Sequence, residues 1–415
     1  MISKIIWPCL LLGMTLSKPL ASGAEPNKFF WLLAYLSVAA VCIKKPNALL
    51  EAMRQNYVVL LIPALAFLSA IWSPSPGDDL YNSFQFLVTN LIGFVIVMQN
   101  GKRETLHILF RAFGLAVVFS LVALVVNPRG AIGSWAGELN GIYQTKNELG
   151  DMSALLMLST VALFLGEKRS IYLAIPFVLG LGTLALTRSG TATIATVLVL
   201  SLTPSIAIYK WRAASLPSAI GLQLLVAVPI IAFLVFGHVD VFDALLGSVG
   251  KDSTLTGRTV LWGFAIDGFK QSPWIGYGFK GWWDPSNPNV FFLRYVVGQD
   301  LWYFHNVFLE MSVSFGIVGV FLMLLTLATG FRRAIGNFFR SASAINIWNV
   351  FFMIYVTIDC TAENALFVNH SLHQLILATI FASTARSFHE RAHRYTFEDL
   401  PTISTGRDTL AAGRA

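Results

Sequence analysis

The sequence predicts an all-α polytopic membrane protein, with about 12 transmembrane helices and a large outer loop between spans 9 and 10. Three observations predict it. Of the 415 residues, 55% are hydrophobic and only 12% charged, where a soluble domain carries roughly a quarter charged residues. Mean hydropathy is +0.66. The apolar residues fall in runs near the length of about 20 that a helix needs to cross the hydrocarbon core. A water-soluble fold cannot hide this much apolar surface, so lipid is the expected solvent.

The first run, 5–23, follows Lys4 and has the look of a secretory signal. Lys18-Pro19 interrupts it and many runs follow, so it reads as a first transmembrane helix. Further spans are expected at 29–43, 57–73, 84–99, 107–126, 149–166, 170–187, 190–208, 218–237, 303–330, 346–362 and 368–386. No internal repeat of the kind that marks many transporters is visible. Residues 1–386 read as one integral membrane domain, with the loop 238–302 inside it, and residues 387–415 as a polar cytoplasmic tail. Cys9, Cys42 and Cys360 lie in apolar runs at no metal-type spacing and read as small packing residues.

The net charge of +7 is spread between apolar runs and gathered in no single patch, which argues against nucleic acid as a partner. Orientation follows from the short loops. Lys44-Lys45 with Arg54, Lys102-Arg103, Lys168-Arg169, Lys210 with Arg212, and Arg332-Arg333 with Arg340 mark alternate loops as cytoplasmic. The loops around Ser73–Ser83 and Thr361–Phe367 carry no Lys or Arg, and the first connection, with Lys28 beside Glu25, is a mild exception. Both termini are therefore expected in the cytoplasm and the span count is even.

That orientation puts two long connections, Asn127 to Glu148 and His238 to Trp302, on the outer side. Cations collect there: Arg129, Lys146, Arg188, Lys251, Arg258, Lys270, Lys280 and Arg294. Lys146 and Arg188 lie close to span ends, where the charge rule disfavours them. An anionic ligand at the outer face is the simplest reason for their presence.

Four outer segments hold the residues able to carry chemistry. The first, entering span 6, contains Lys146-Asn147-Glu-Leu-Gly150; the second is the tight turn Leu186-Thr-Arg188-Ser-Gly-Thr191. The third runs Leu255-Thr-Gly257-Arg258-Thr-Val-Leu-Trp262, followed by Pro273-Trp-Ile-Gly276-Tyr-Gly278, and the fourth is His305-Asn306, opening span 10. Arg188 either snorkels to the headgroups or binds an anion. Arginine suits a diphosphate because its planar fork donates parallel hydrogen bonds and stays charged. Arg258 is otherwise a solvated loop arginine, and Lys146 a surface partner of Glu148. His305 is either an interfacial histidine bonded to a carbonyl or a proton carrier for a hydroxyl acceptor. Trp274, Trp282, Trp283 and Trp302 form an aromatic belt or stack on sugars. His370 and His373 read as packing residues. No phosphate loop, nucleophile elbow or metal-ligand spacing is present in the linear sequence.

At these four segments the chain resembles the O-antigen ligase and polymerase superfamily, nearest to exopolysaccharide polymerases of the succinoglycan type. The similarity covers about residues 75 to 330. The resemblance implies a metal-independent, inverting glycosyltransferase without cofactor. Its donor would be an undecaprenyl-diphosphate-linked glycan and its acceptor a growing polysaccharide. It would sit in the bacterial inner membrane, beside membrane lipid and with a flippase and chain-length or export proteins as partners. By that likeness Arg188 and Arg258 hold the diphosphate and His305 is the base or acceptor-orienting group. Lys146, Asn147, Asn306, Trp282 and Trp283 are expected around the substrate. A ligase delivering glycan to lipid A core or to protein is the alternative. A glycolipid flippase is the weaker one, because few charged residues lie midway along the spans.

Overall fold

A computed structural model describes residues 3–19, 23, 25–133, 137–167, 169–210, 256–297 and 300–385. The expected ninth span, the start of the long outer loop with Lys251, and the tail 387–415 lie outside the described residues. One compact unit runs Met1–Thr384.

The described part is all helical apart from turns and one isolated bridge. In chain order the helices are α1 Ser3–Met14, α2 Pro26–Lys44, α3 Pro46–Gln55, α4 Tyr57–Ser69, α5 Pro76–Val126, α6 Pro128–Ala131, α7 Lys146–Gly166, α8 Ala174–Thr187, α9 Gly190–Leu200, α10 Thr203–Lys210, α11 Thr256–Gln271, α12 Pro288–Val297, α13 Val307–Arg340, α14 Ala344–Asp359 and α15 Leu372–Thr384. Among the described residues, five helical stretches are long and apolar enough to cross a membrane: α2, α5, α7, α9 with α10, and α13. The bent pair α3–α4 makes a sixth if it counts as one span. Other expected spans correspond to shorter apolar helices, such as α1, α14 and α15. Hydropathy counts apolar residues in the turns flanking such helices as well, so the runs read from sequence are longer than the helices themselves.

Helix α5 has 51 residues, about 75 Å at 1.5 Å per residue and more than twice a hydrocarbon core. It is two legs. Gly101, at φ +74° and ψ 170°, breaks it where the sequence places the Lys102-Arg103 loop. Charged groups collect at that break. Lys4 Nζ lies 2.8 Å from Glu104, and Arg103 forks onto both oxygens of Glu167 at 2.9 and 2.8 Å.

Helix α7 is the most deeply buried of the long helices. It begins in a capping box, with Thr145 accepting from the Glu148 amide and Glu148 accepting from the Thr145 amide. Two first-turn donors are thereby satisfied. Its 21 residues span about 31 Å, the thickness of a bilayer core. Asn147 sits at one end, and Gly166 at the other adjoins the Glu167–Arg103 pair.

Helix α13 breaks at Gly316, φ +61°. The segment 273–278 supplies the hydrogen bonds the break forfeits. Tyr277 and Gly278 amides donate to the carbonyls of Val313 and Ser314 at 3.1 and 2.9 Å, and the Ile317 amide donates to Pro273 O at 2.8 Å. Glycine is required on both strands of this contact. A Cβ on Gly276 would lie 2.4 Å from Val313 O, and one on Gly316 2.4 Å from the Trp274 carbonyl carbon.

Candidate active site

At the Asn147 end of α7, one carboxylate binds residues from three of the four motif segments, and the remaining segment joins through Asn147. Glu363 stands in the turn after α14. Its Oε1 accepts from Arg258 Nη2 at 2.9 Å and from Asn147 Nδ2 at 2.8 Å, and its Oε2 lies 3.1 Å from His305 Nδ1. Asn147 in turn accepts from the Ser189 hydroxyl at 3.0 Å, which ties in the residue next to Arg188. The group is sheltered but reachable, with side-chain exposures of 28% for Arg258, 25% for His305 and 15% for Glu363.

Local sequence explains each placement. Gly150 on α7 lets the Ser189 turn approach, since a Cβ there would meet the Ser189 Cβ at 2.8 Å. Arg188 caps α8 in the left-handed region, φ +52° and ψ 31°, a conformation that costs a non-glycine residue about 1 kcal/mol. Its side chain is exposed. On α11, Arg258 and Trp262 are one turn apart and share a face. Arg258 reaches Glu363, while Trp262 Nε1 donates to Phe304 O at 3.1 Å, which fixes the residue before His305. His305 is itself left-handed at φ +51°. Asn306 caps α13 by accepting from the Leu309 amide at 3.1 Å and donates to Thr361 O at 3.1 Å. The Val307 amide donates to Cys360 O at 2.9 Å. The histidine and the Glu363 turn are therefore strapped together.

Nearby, the Tyr303 ring lies 4.4 Å from that of His305. Burial, then the negative charge of Glu363, push its phenol up to about 12, so it stays a neutral donor. Lys146 is half-buried in the first turn of α7.

Two expectations change. Trp282 and Trp283 are 2% and 4% exposed and pack with Phe304, at ring distances of 4.6 and 4.7 Å. Trp283 Nε1 donates to Glu310 Oε1 at 2.8 Å, and Glu310 Oε2 accepts from the Phe304 amide at 3.0 Å. These indoles build the core that positions His305 and leave no face for a sugar. Lys280, expected as an outward loop cation, is half-buried with its ammonium 5.4 Å from the Phe279 ring. Burial lowers its pKa, and the charges of Glu310 and Asp79 oppose that. Arg294 is also accounted for locally, bonded to Leu301 O at 3.1 and 3.0 Å and stacked on Trp302 at 4.2 Å.

Sequence reasoning missed Glu363. Its signal was a carboxylate in a short apolar connection holding no Lys or Arg, so any cationic partner had to come from elsewhere in the chain.

Comparison with known proteins agrees with the resemblance. The profile of the O-antigen ligase family matches residues 175–324, a range that contains Arg188, Arg258, His305 and Asn306. The chain is 28% identical over 278 residues to the exopolysaccharide production protein ExoQ of Rhizobium meliloti. That similarity covers 64% of this chain and 62% of the relative's length. The likeness is to the O-antigen ligase and polymerase family, close to ExoQ.

Proposed function

We propose that this chain polymerises undecaprenyl-diphosphate-linked oligosaccharide repeats into exopolysaccharide or O-antigen at the periplasmic face of the bacterial inner membrane. The observation that carries the reading is the Glu363 carboxylate, which draws Arg258, His305 and Asn147 into one cluster. A twelve-span arrangement with both termini cytoplasmic goes with it. The Arg103–Glu167 group and the Glu363 group, at opposite ends of the 21-residue α7, support that orientation.

The transfer runs as follows. The acceptor sugar hydroxyl gives its proton to Nε2 of His305, whose Nδ1–H is held by Glu363. That bond fixes the tautomer and stabilises the imidazolium, as a carboxylate does for a catalytic histidine elsewhere. The hydroxyl oxygen bonds to the anomeric carbon as the carbon–phosphate oxygen bond breaks, inverting the centre. Undecaprenyl diphosphate departs with the electron pair. Arg258 and Arg188 meet its charge; a guanidinium has five N–H donors, and the Glu363 bond uses one of Arg258's. The diphosphate then needs no divalent ion. Lys146 adds positive charge near the same end of α7, and Asn147 and Asn306 hold the frame.

Purified protein in lipid, given the lipid-linked repeat alone, should yield a ladder of polymer and free undecaprenyl diphosphate. Transfer only when lipid A core is added would favour the ligase reading, which similarity to O-antigen ligases keeps in view. No release of diphosphate under either condition would sink both.

A further inference from the structure

Three residues that the transfer site does not use meet in the interior of the bundle. Asp151 on α7, Asp359 at the end of α14 and His373 on α15 each present a ligand atom, and these atoms lie within 4.8 Å of one another. The residues are 9%, 1% and 8% exposed. Both carboxylate oxygens of Asp359 are buried without a hydrogen-bond partner, and so is Nε2 of His373. That nitrogen stands 3.8 Å from Asp151 Oδ2, too far for a hydrogen bond. Asp151 is better served, with the Tyr355 hydroxyl donating to Oδ1 at 2.7 Å. The Phe352 and Tyr355 rings stack along the imidazole at 6.1 and 6.5 Å.

Buried polar atoms in native proteins are nearly always paired, and two buried carboxylates at this range repel strongly. Packing alone gives no reason for an unpartnered carboxylate and an unpartnered imidazole to stand beside a second buried carboxylate. A divalent cation removes both penalties: it balances two carboxylates and a neutral imidazole, and gives each orphan atom a partner. Calcium wants six to eight oxygens. A mixed set of one nitrogen and two carboxylates suits zinc or manganese.

We propose that Asp151, Asp359 and His373 hold one divalent transition-metal cation of the zinc or manganese class inside the helix bundle. The ion is a pin for the transfer site and takes no part in the chemistry there. Asp151 lies one turn along α7 from Asn147, on the same face. Asp359 O accepts from the Glu363 amide at 2.8 Å and the Ala362 amide at 2.9 Å. The ion would thus lock the turn bearing Glu363 to the helix bearing Asn147.

The test is elemental analysis of the full chain, purified in detergent with a tag free of histidine and incubated with zinc or manganese before desalting. The wild type should retain about one equivalent. Asp359→Asn, which keeps the shape and removes the charge, should bind at least about tenfold more weakly. A metal-free wild type, or an Asp359→Asn protein that retains a full equivalent, overturns the proposal. If the variant does not accumulate, cobalt loading of the wild type decides. Visible d–d absorption at about one equivalent supports the site, and its absence refutes it. None of these readouts uses transfer activity, so they stand apart from the polymerase reading.

Discussion

The Nδ1 atom of His305 lies 3.1 Å from Oε2 of Glu363, across 58 positions of the chain. Both residues approach from opposite sides of one strap, with Val307 bonded to Cys360 and Asn306 to Thr361. The pair is thereby preorganised. Glu363→Gln keeps the shape and removes the charge that holds Arg258 and the imidazole. It should lower the polymerisation rate on the order of 10²-fold or more while the protein accumulates normally. Rate per mole of purified protein checks this; an unchanged rate would remove Glu363 from the site.

Arginine geometry is the second exposed point. Arg258→Lys offers a compact charge where a fork is needed and should abolish or greatly reduce polymer length in a complemented deletion strain. Full-length polymer at normal abundance would refute the diphosphate clamp.

At Arg188, stability and chemistry separate. The residue holds φ +52°, which glycine adopts freely. Arg188→Gly should leave thermal stability equal or raise it by up to about 1 kcal/mol, yet lose activity because the guanidinium is gone. A glycine variant that polymerises normally would show Arg188 to be only a helix cap.

Trp283 distinguishes core from sugar platform. Trp283→Phe removes the donor to Glu310 and should cost about 1–3 kcal/mol of stability without changing the apparent affinity for acceptor. A selective rise in acceptor KM, at unchanged melting temperature, would restore the stacking role.

If arginines meet the diphosphate charge as proposed, transfer should show no dependence on added magnesium. Titration of magnesium from zero to millimolar in the polymer assay is the check; an absolute requirement contradicts the clamp.

Much of this was legible in the sequence because membrane solvent imposes a plain code. Apolar runs marked helices such as α5, α7 and α13, and the basic Lys102-Arg103 pair located the break at Gly101. Three of the four motif segments supply Arg258, His305 and Asn147, which meet at Glu363. Glu363 was not, because a lone carboxylate has no linear signature and its partners lie far away in the chain. Trp282 and Trp283 misled for a related reason: aromatic content says nothing about which face is occupied. The buried group of Asp151, Asp359 and His373 was invisible because its members come from three separate helices.

The splice at Gly316 bears on how the chain enters the membrane. The segment 273–278 is synthesised before α13. When α13 arrives, its broken turn carries Val313 and Ser314 carbonyls that lipid cannot solvate. They find partners only when Tyr277 and Gly278 dock against them. Insertion of this helix is thus completed by a segment made before it. Gly276→Ala, whose Cβ meets Val313 O at 2.4 Å, should be caught at that stage, as protein degraded during biogenesis and never as a stable, inactive protein.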